Sequence, residues 1–454
     1  MIVFFEWLRR AAFWSLDALK GGQVRKHYLE IQSILDGPET EESRKRREKN
    51  LANMLKHAVE TVPYYSEVVP KGPISLDGFP IVDKQTVRAN FKGFQSKTFR
   101  EEEGYMVTTS GSTGKPFKLL QDRGKRARNT ADTVFFAGQA GYKLGSRLFY
   151  LRLWDKQYQK NKLLTLIQNM ATYSVDDLTE NNLARLVEEL NSKKSSKSIL
   201  AYTSALETLC NFIERNHGMP LDCKIDSIIA VAEALNPAIL EQIKKCFGTE
   251  ALSRYSNSEN GILAQQRSND PYGNFEVNWA SYHIEIFDLI EDRPANEGET
   301  GRIIITDLFN YAMPLIRYDT GDVGTMEFDS KRNAKVFTKI DGRKMDMFTN
   351  TKGEYISSHI IHHILQFDGI DQFQFVEEEN GEYIIKMKVL SQYDPTDEAK
   401  IRNRYEAYFG EDANIRIEYV DDIPLLPSGK RKLVVNNRRS TILQQAMEKA
   451  NMQN

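Results

Sequence analysis

The sequence predicts an α/β protein with more than one domain, and three observations predict it. Strand and helix patterns alternate from Arg147 to about residue 250, which argues for α/β layers. From Gly273 to Gly324 the pattern changes to short strands and turns. From Phe373 onward, strand, turn, strand, helix and strand follow one another, a small α+β unit. A chain of 454 residues is long enough for two or more cores.

Composition excludes several classes. The net charge is −2, from 61 basic and 63 acidic side chains, so no broad nucleic-acid-binding surface is expected. Cys210, Cys223 and Cys246 form no CxxC pair, which fits a reducing, cytoplasmic setting and argues against a zinc site built from them. No run of 18 apolar residues occurs, so no membrane span is expected.

The elements follow in order. Phe4, Trp7, Leu8 and Ala11 fall at helical spacing. That helix either packs on the body or lies at a membrane interface as a peripheral contact, and packing is the reading preferred. Residues 41–50 start a helix that Leu51, Met54, Leu55, Ala58 and Val59 continue on one apolar face. His57 falls off that face and reads as solvated. The helix ends before Pro63, and Asp83 reads as the N-cap of a short helix.

Val107 to Lys118 holds the stretch with the most chemistry. Hydroxyls, two glycines and a lysine fill Thr109–Lys115. Glycine permits positive φ and close approach, and successive N–H groups form an anion-binding nest. The spacing of Gly111 and Gly114 excludes a Walker loop. Phe117–Leu120 reads as a strand, so the loop joins two strands and reads as a phosphate grip.

Arg126–Ala140 reads as a helix and Arg147–Leu153 as a strand. Ile199–Tyr202 is a strand running into a helix, and Ile228–Glu233 a buried strand ending in a small residue and an acid. Asn296–Gly301 reads as a hairpin loop. Asn380-Gly381 between two strands reads as a type I′ turn, and Thr396 as the N-cap of a helix to Phe409. His359, His362 and His363 share one helix face, with metal ligation the weaker reading than plain exposure. The tail from about 438 is polar.

Five stretches together carry a resemblance. They are Val107–Lys118, Leu252–Gly261 with Tyr255-x-x-x-Glu259, Met313–Asp322 with Pro-Leu-Ile-Arg-Tyr-Asp-Thr-Gly-Asp, Ile340–Asp346, and Pro424–Lys432 with Pro-Ser-Gly-Lys. In this order the chain resembles adenylate-forming enzymes, and among them phenylacetate-CoA ligases and CapK-type proteins. "VPYYSE" and "FPIVDKQTVRANF" resemble the opening of that group, without a chemical role.

The resemblance implies a large N-terminal adenylation domain, 1–342, of α/β sheets with a small β-barrel-like part. It implies a smaller, mobile α+β domain, 343–454, turning about residues 343–346, where Met345 departs from the usual Asp or Lys. Ser110, Gly111, Ser112, Thr113, Gly114 and Lys115 would hold the phosphates of ATP, and Thr113 counts with the catalytic residues. Ala232 and Glu233 would lie by the adenine, and Tyr255 beside the nucleotide. Asp322 would take the ribose hydroxyls, with Arg343 reaching ribose or phosphate. Glu259 would hold Mg²⁺. Lys430 would bridge carboxylate and α-phosphate as the catalytic lysine. Tyr202 and Asn257 would border the acid, though a core tyrosine explains Tyr202 as well.

The implied reaction joins a small carboxylic acid to AMP and then passes the acyl group to an acceptor. Coenzyme A, a carrier thiol, and a sugar amine or hydroxyl all stay open. The CapK likeness of 155–225 points to surface-polysaccharide biosynthesis and the phenylacetate-CoA ligase likeness to a CoA thioester. A non-catalytic nucleotide-binding partner protein is the remaining alternative.

Overall fold

The computed structural model describes residues 2–100, 102, 104–109, 117–154, 162–192, 196–217, 219–268, 270, 273–343, 347–353, 355–356, 360–361, 363–364, 367–424 and 431–438. Chain contacts divide it into two units, Met1–Thr320 with Gly324–Ile340, and Gly321–Val323 with Asp341–Asn454.

The first unit opens with helices α1 (Ile2–Leu19), α2 (Gln23–Asp36), α3 (Glu41–Thr61), α4 (Pro63–Val68) and α5 (Lys84–Ala89). The hydroxyl of Thr40 caps α3 at Ser43 N, and Glu41 and Glu42 in its first turn suit the helix dipole. Pro63 sits at the start of α4, where a missing N–H is harmless. Asp83 Oδ1 accepts from Thr86 N at 2.8 Å, so it does cap α5. His57 is not solvated as its position on the wheel predicts. Its Nε2 lies 2.9 Å from Tyr311 O, a contact with a segment far along the chain that helical spacing does not report.

Next come strands β1 (Tyr105–Thr109) and β2 (Phe117–Gln121), an antiparallel pair with Thr109 opposite Phe117. Helix α6 (Arg123–Gln139) follows, starting earlier than its apolar pattern shows because Asp122 caps it at Lys125 N. Then strand and helix alternate: β3 (Arg147–Arg152), α7 (Lys162–Ile167), β4 (Met170–Ser174), α8 (Glu180–Asn191), β5 (Lys197–Tyr202), α9 (Thr203–Asn216), β6 (Ile225–Val231), α10 (Pro237–Phe247) and β7 (Ala251–Asn257). The unit closes with β8 (Gly261–Gln266), β9 (Phe275–Val277), β10 (Tyr282–Phe287), β11 (Thr300–Asp307), β12 (Tyr318–Asp329) and β13 (Ala334–Arg343).

Among the described residues these strands form one sheet in the order β10-β11-β12-β13-β9-β8-β7-β6-β5-β3-β4. From β4 to β7 the pairing is parallel. Helices α8, α9 and α10 cover that half, and Leu186, Leu206, Leu209, Ile228 and Ile243 fill its core. Strand β6 is buried on both faces, hence its run of Ile228, Ile229, Ala230 and Val231. The antiparallel half, starting with β7–β8, stands where the barrel-like part is expected, and its hydrogen bonding continues into the parallel half. Ile31, Ile34 and Leu35 of α2 and Phe135 and Phe136 of α6 share its core with Ile303 and Ile305. A third core joins α3 and α4 to β2 and to Met313–Tyr318.

The second unit holds β14 (Phe348–Thr349), β15 (Tyr355–Ile356), β16 (Ile370–Glu377), β17 (Tyr383–Val389), α11 (Asp397–Phe409), β18 (Ile415–Tyr419) and β19 (Val434–Asn436). The sheet order is β18-β17-β16-β19, with Ile401, Tyr405 and Phe409 of α11 in the same core. The β16–β17 turn is not type I′. Gly381 takes φ +81°, while Asn380 is not among the positive-φ residues. Gly381 N donates to Glu378 O at 3.0 Å and Glu378 N to Glu382 O at 2.8 Å, so the loop is longer, with glycine in the left-handed position. His359 and His362 lie outside the described residues; His363 Nε2 is 3.4 Å from Tyr408 Oη.

Candidate active site

The strands β1 and β2 hold the Gly/Ser/Thr stretch between their paired ends. Ser110, Gly111, Ser112, Thr113, Gly114 and Lys115 lie outside the described residues. What the hairpin touches is described. Gln121, the last residue of β2, donates from Nε2 to Glu259 O at 3.0 Å. Phe117, the first, stacks on Tyr318 with ring centroids 6.4 Å apart and planes at 13°.

Glu259 sits in the turn joining β7 to β8 and is 2% exposed. Its Oε1 lies 2.7 Å from Lys84 Nζ and accepts from Tyr318 Oη at 3.4 Å. Asn257 Oδ1 accepts from Asn260 N at 2.8 Å, which shapes the turn. Thus the Tyr-x-x-x-Glu stretch and the Pro-Leu-Ile-Arg-Tyr-Asp stretch meet at one carboxylate, as Tyr318 belongs to the second.

Lys84 is the site residue that sequence reasoning misses. A Val82 bridge places it. Val82 N donates to Arg317 O at 3.0 Å, and Asp319 N to Val82 O at 2.8 Å. This edge contact carries the start of α5 to Glu259. Lys84 follows a helix cap and looks like any solvated lysine; the only signal is its place in a stretch shared with the resembled group.

The neighbours of Tyr318 are structural. Arg317 takes φ +48° and pairs with Glu285 through Nε at 3.3 Å and Nη2 at 3.1 Å. Asp319 Oδ2 accepts from Arg302 Nη1 at 3.1 Å, so it is tied to the sheet.

Behind Glu259 lies a buried ionic frame. Lys125 Nζ is 2.6 Å from Asp307 Oδ2, with the two side chains 0% and 1% exposed. Lys125 also donates to Tyr282 Oη at 3.1 Å, and Tyr282 Oη donates to Asn260 O at 2.6 Å. Burial first, then the charges of Asp307 and Asp132, push the Tyr282 hydroxyl well above its ordinary pKa, so it stays a donor. Asp122 Oδ2 accepts from Tyr311 N at 2.7 Å and Ala312 N at 3.2 Å, fixing the approach to Met313.

On the parallel side, three strand ends stand in register. Tyr202 of β5 pairs with Val231 of β6, and Val231 pairs with Arg254 of β7. Ala232 and Tyr255 are therefore the next residues along their strands. The carboxyl ends of parallel strands are where such sheets bind ligands. Tyr202 is half-buried and begins α9; burial raises its hydroxyl pKa, opposed by Arg152. Tyr255 meets Phe337 edge-on at 6.2 Å. Glu233 Oε2 accepts from Ser204 N at 2.8 Å and its carbonyl from Thr203 Oγ1 at 3.1 Å. It caps α9, a use for its charge that strand patterning does not foresee.

Ala232 takes φ +73°. An L residue there costs about 1–2 kcal/mol that glycine does not. Ala232→Gly is expected to raise stability by about 0.5–1 kcal/mol after glycine's larger unfolded-state entropy is subtracted. The urea midpoint, at unchanged slope, measures it; a lower midpoint contradicts the strain.

Asp322 lies on β12, four residues beyond Tyr318, and is half-exposed. Gly321 before it takes φ +78°, a break in the strand's alternation. Arg343 is the last residue of β13 and exposed. Met345 and Lys430 lie outside the described residues. The structure thus brings Tyr202, Ala232, Glu233, Tyr255, Asn257 and Glu259 to one end of adjacent strands, with Tyr318 linking β12 to them.

The donor set fits magnesium shared with a nucleotide. Among the described residues no cluster of three His, Cys, Asp or Glu side chains could hold a metal alone. One hard carboxylate, Glu259, suits an ion that keeps waters and bridges phosphate oxygens.

Comparison with known proteins finds similarity along most of the chain. The family model of the CapK C-terminal domain matches residues 347–437. Protein CapK of Staphylococcus aureus is 22% identical over 92% of this chain and 94% of its own. Phenylacetate-coenzyme A ligase of Pseudomonas putida is 24% identical over 89% of each chain. The crystal structure of 2-hydroxyisobutyryl-CoA ligase in the postadenylation state with 2-HIB-AMP superposes with TM-score 0.69 at 17% identity, covering 90% of this chain and 92% of that one. That of an anthranilate CoA ligase with anthranoyl-AMP gives 0.52 at 15% identity over 77% and 69%. The chain is therefore similar in sequence to CapK and to the phenylacetate-CoA ligases, and its fold is that of CoA ligases solved with acyl adenylates.

Proposed function

We propose that the protein is an AMP-forming acid ligase. A carboxylate oxygen attacks the α-phosphorus of ATP, the bond to the β-phosphate oxygen breaks, and pyrophosphate leaves. The acceptor then attacks the acyl carbon, the bond to the phosphate oxygen breaks, AMP leaves and the acceptor gives up its proton. A carboxylate is a poor electrophile, and AMP is a far better leaving group than oxide. The obstacle is the approach of two anions, so cations and N–H donors are needed where charge collects.

One observation carries the reading: Gln121 of the hairpin, Glu259 of the turn and Tyr318 of the third stretch share hydrogen bonds at one place. The resemblance to adenylate-forming enzymes supplies the roles. Ser110–Lys115 hold the β- and γ-phosphates, and Thr113 counts with the catalytic residues. Glu259 holds Mg²⁺, which when bound neutralises phosphate charge. Ala232, Glu233 and Tyr255 flank the base, Asp322 accepts from the ribose hydroxyls, and Arg343 assists. Tyr202 and Asn257 border the acid. Rotation of 343–454 against 1–342 withdraws Lys430 and admits the acceptor. Lys84 holds Glu259 until the metal nucleotide arrives.

ATP–pyrophosphate exchange with a panel of carboxylic acids tests the first half. Glu259→Gln is expected to lower exchange by about 10²–10³-fold and to raise the Mg²⁺ needed, as for the loss of a charge stabiliser. Lys84, 33% exposed at its side chain, stays hydrated, so the fold holds. Unchanged exchange would remove Glu259 from the site.

The acceptor reading is surface-polysaccharide chemistry, an acyl group passed to an amine, hydroxyl or thiol, because CapK matches over most of both chains. A second reading, a CoA thioester, is favoured by the phenylacetate-CoA ligase relatives. AMP release that requires coenzyme A selects the second; release only with a sugar amine, a sugar hydroxyl or a carrier thiol selects the first.

A further inference from the structure

Helix α1 presents one apolar face outward. At 3.6 residues per turn, Phe4, Phe5, Trp7, Leu8, Leu16 and Leu19 fall on about half of its circumference. Only alanines and Ser15 lie between them. Phe4 is 58% exposed, Trp7 52% and Leu19 84%. Large apolar side chains gathered on one exposed face mark an interaction surface.

The opposite face is seated on the body. A Cβ at Gly145 would lie 2.4 Å from Glu6 O, so the backbones touch. Glu6 Oε1 accepts from Ser196 N at 3.3 Å. Asp17, 9% exposed, accepts from Val24 N at 3.1 Å and Arg25 N at 2.8 Å. The Trp14 ring meets Tyr28 edge-on at 5.7 Å. The outward face is therefore set by the fold.

Charge selects the partner. Both acids of α1 point inward and hold backbone N–H groups. Arg9 and Lys20 border the apolar face along one edge. Aromatic and aliphatic side chains edged by cations, with no acid among them, match the interface of an anionic bilayer. Among the described residues no helix is long and apolar enough to cross one. We propose that α1 lies in the plane of an anionic membrane, its outward face among the headgroups, and holds the protein there. The inference is independent of the reaction proposed above.

Co-sedimentation of the full chain with vesicles tests it. Binding to phosphatidylglycerol–phosphatidylcholine vesicles should exceed binding to phosphatidylcholine alone. It should weaken as salt shortens the screening length from about 10 Å at 0.1 M to about 3 Å at 1 M. Trp7→Ser with Leu8→Ser should lower the partition by about tenfold or more. Arg9→Glu with Lys20→Glu should abolish the preference for phosphatidylglycerol. All four sites lie outside the proposed site, so exchange activity and thermal midpoint should hold. Equal, negligible binding to both vesicle types overturns the proposal. So does a dimer in solution that the Trp7→Ser, Leu8→Ser variant turns into monomer, since the face would then belong to a second copy.

Discussion

Lys430→Ala is expected to lower ATP–pyrophosphate exchange by about a hundredfold or more while leaving ATP binding and thermal stability in place. The chemistry demands a cation between two anions, and only one whose charge counts most as they close lowers the barrier. Lys430 lies within the stretch 347–437 that matches the CapK C-terminal domain. Binding should persist because the proposed site gives phosphates and ribose to other residues. A preformed acyl adenylate should still react with acceptor at the normal rate, since the role proposed for the lysine belongs to the first step alone. Lys430→Arg should recover part of the loss, its fork being shaped differently from an ammonium. Undiminished exchange in Lys430→Ala removes it from the mechanism; a parallel loss of both half-reactions makes it a folding residue instead.

Lys125→Met is expected to destabilise the first unit by about 3–5 kcal/mol, the usual cost of leaving one partner of a buried ion pair uncompensated. The ammonium is wholly buried 2.6 Å from Asp307. Methionine fills the space but leaves Asp307, 1% exposed, without its cation. Asp307→Leu in the same chain should recover much of the loss, because two apolar residues bury no charge. Activity should fall further than unfolding explains, as Tyr282 loses a donor and the turn of Glu259 loses its backing. Urea unfolding and exchange rates of the single and double variants measure this. A single variant within about 1 kcal/mol of the parent would mean the pair is worth no more than an exposed one.

Much of this was legible. The Gly/Ser/Thr stretch reads as a loop between strands because glycine and hydroxyl residues interrupt apolar alternation there, and β1 and β2 flank it. Glu259 stands out because its spacing from Tyr255 means something only downstream of such a loop. Lys84 and Lys125 were not legible, and for one reason. Lys84 meets a residue 175 positions away, and Lys125 sits in the polar run Arg123–Thr130, where exposure is the ordinary expectation. Local pattern reports what a residue prefers, and neither follows its preference. His57 fails likewise, drawn to Tyr311 by the packing of α3. The turn at Asn380-Gly381 failed because a dipeptide fixes only part of a loop whose length the flanking pairing decides.

The strand ends at Tyr202, Ala232 and Tyr255 have an evolutionary corollary. A paired backbone is indifferent to which side chain each of its rungs carries. Exchanging one side chain at these ends alters the width and polarity of the recess while every rung stays paired. Under the proposed reaction, in which Tyr202 borders the acid, new acids are recruited by one-residue steps there, and a lineage of such proteins diversifies its diet without relearning how to fold.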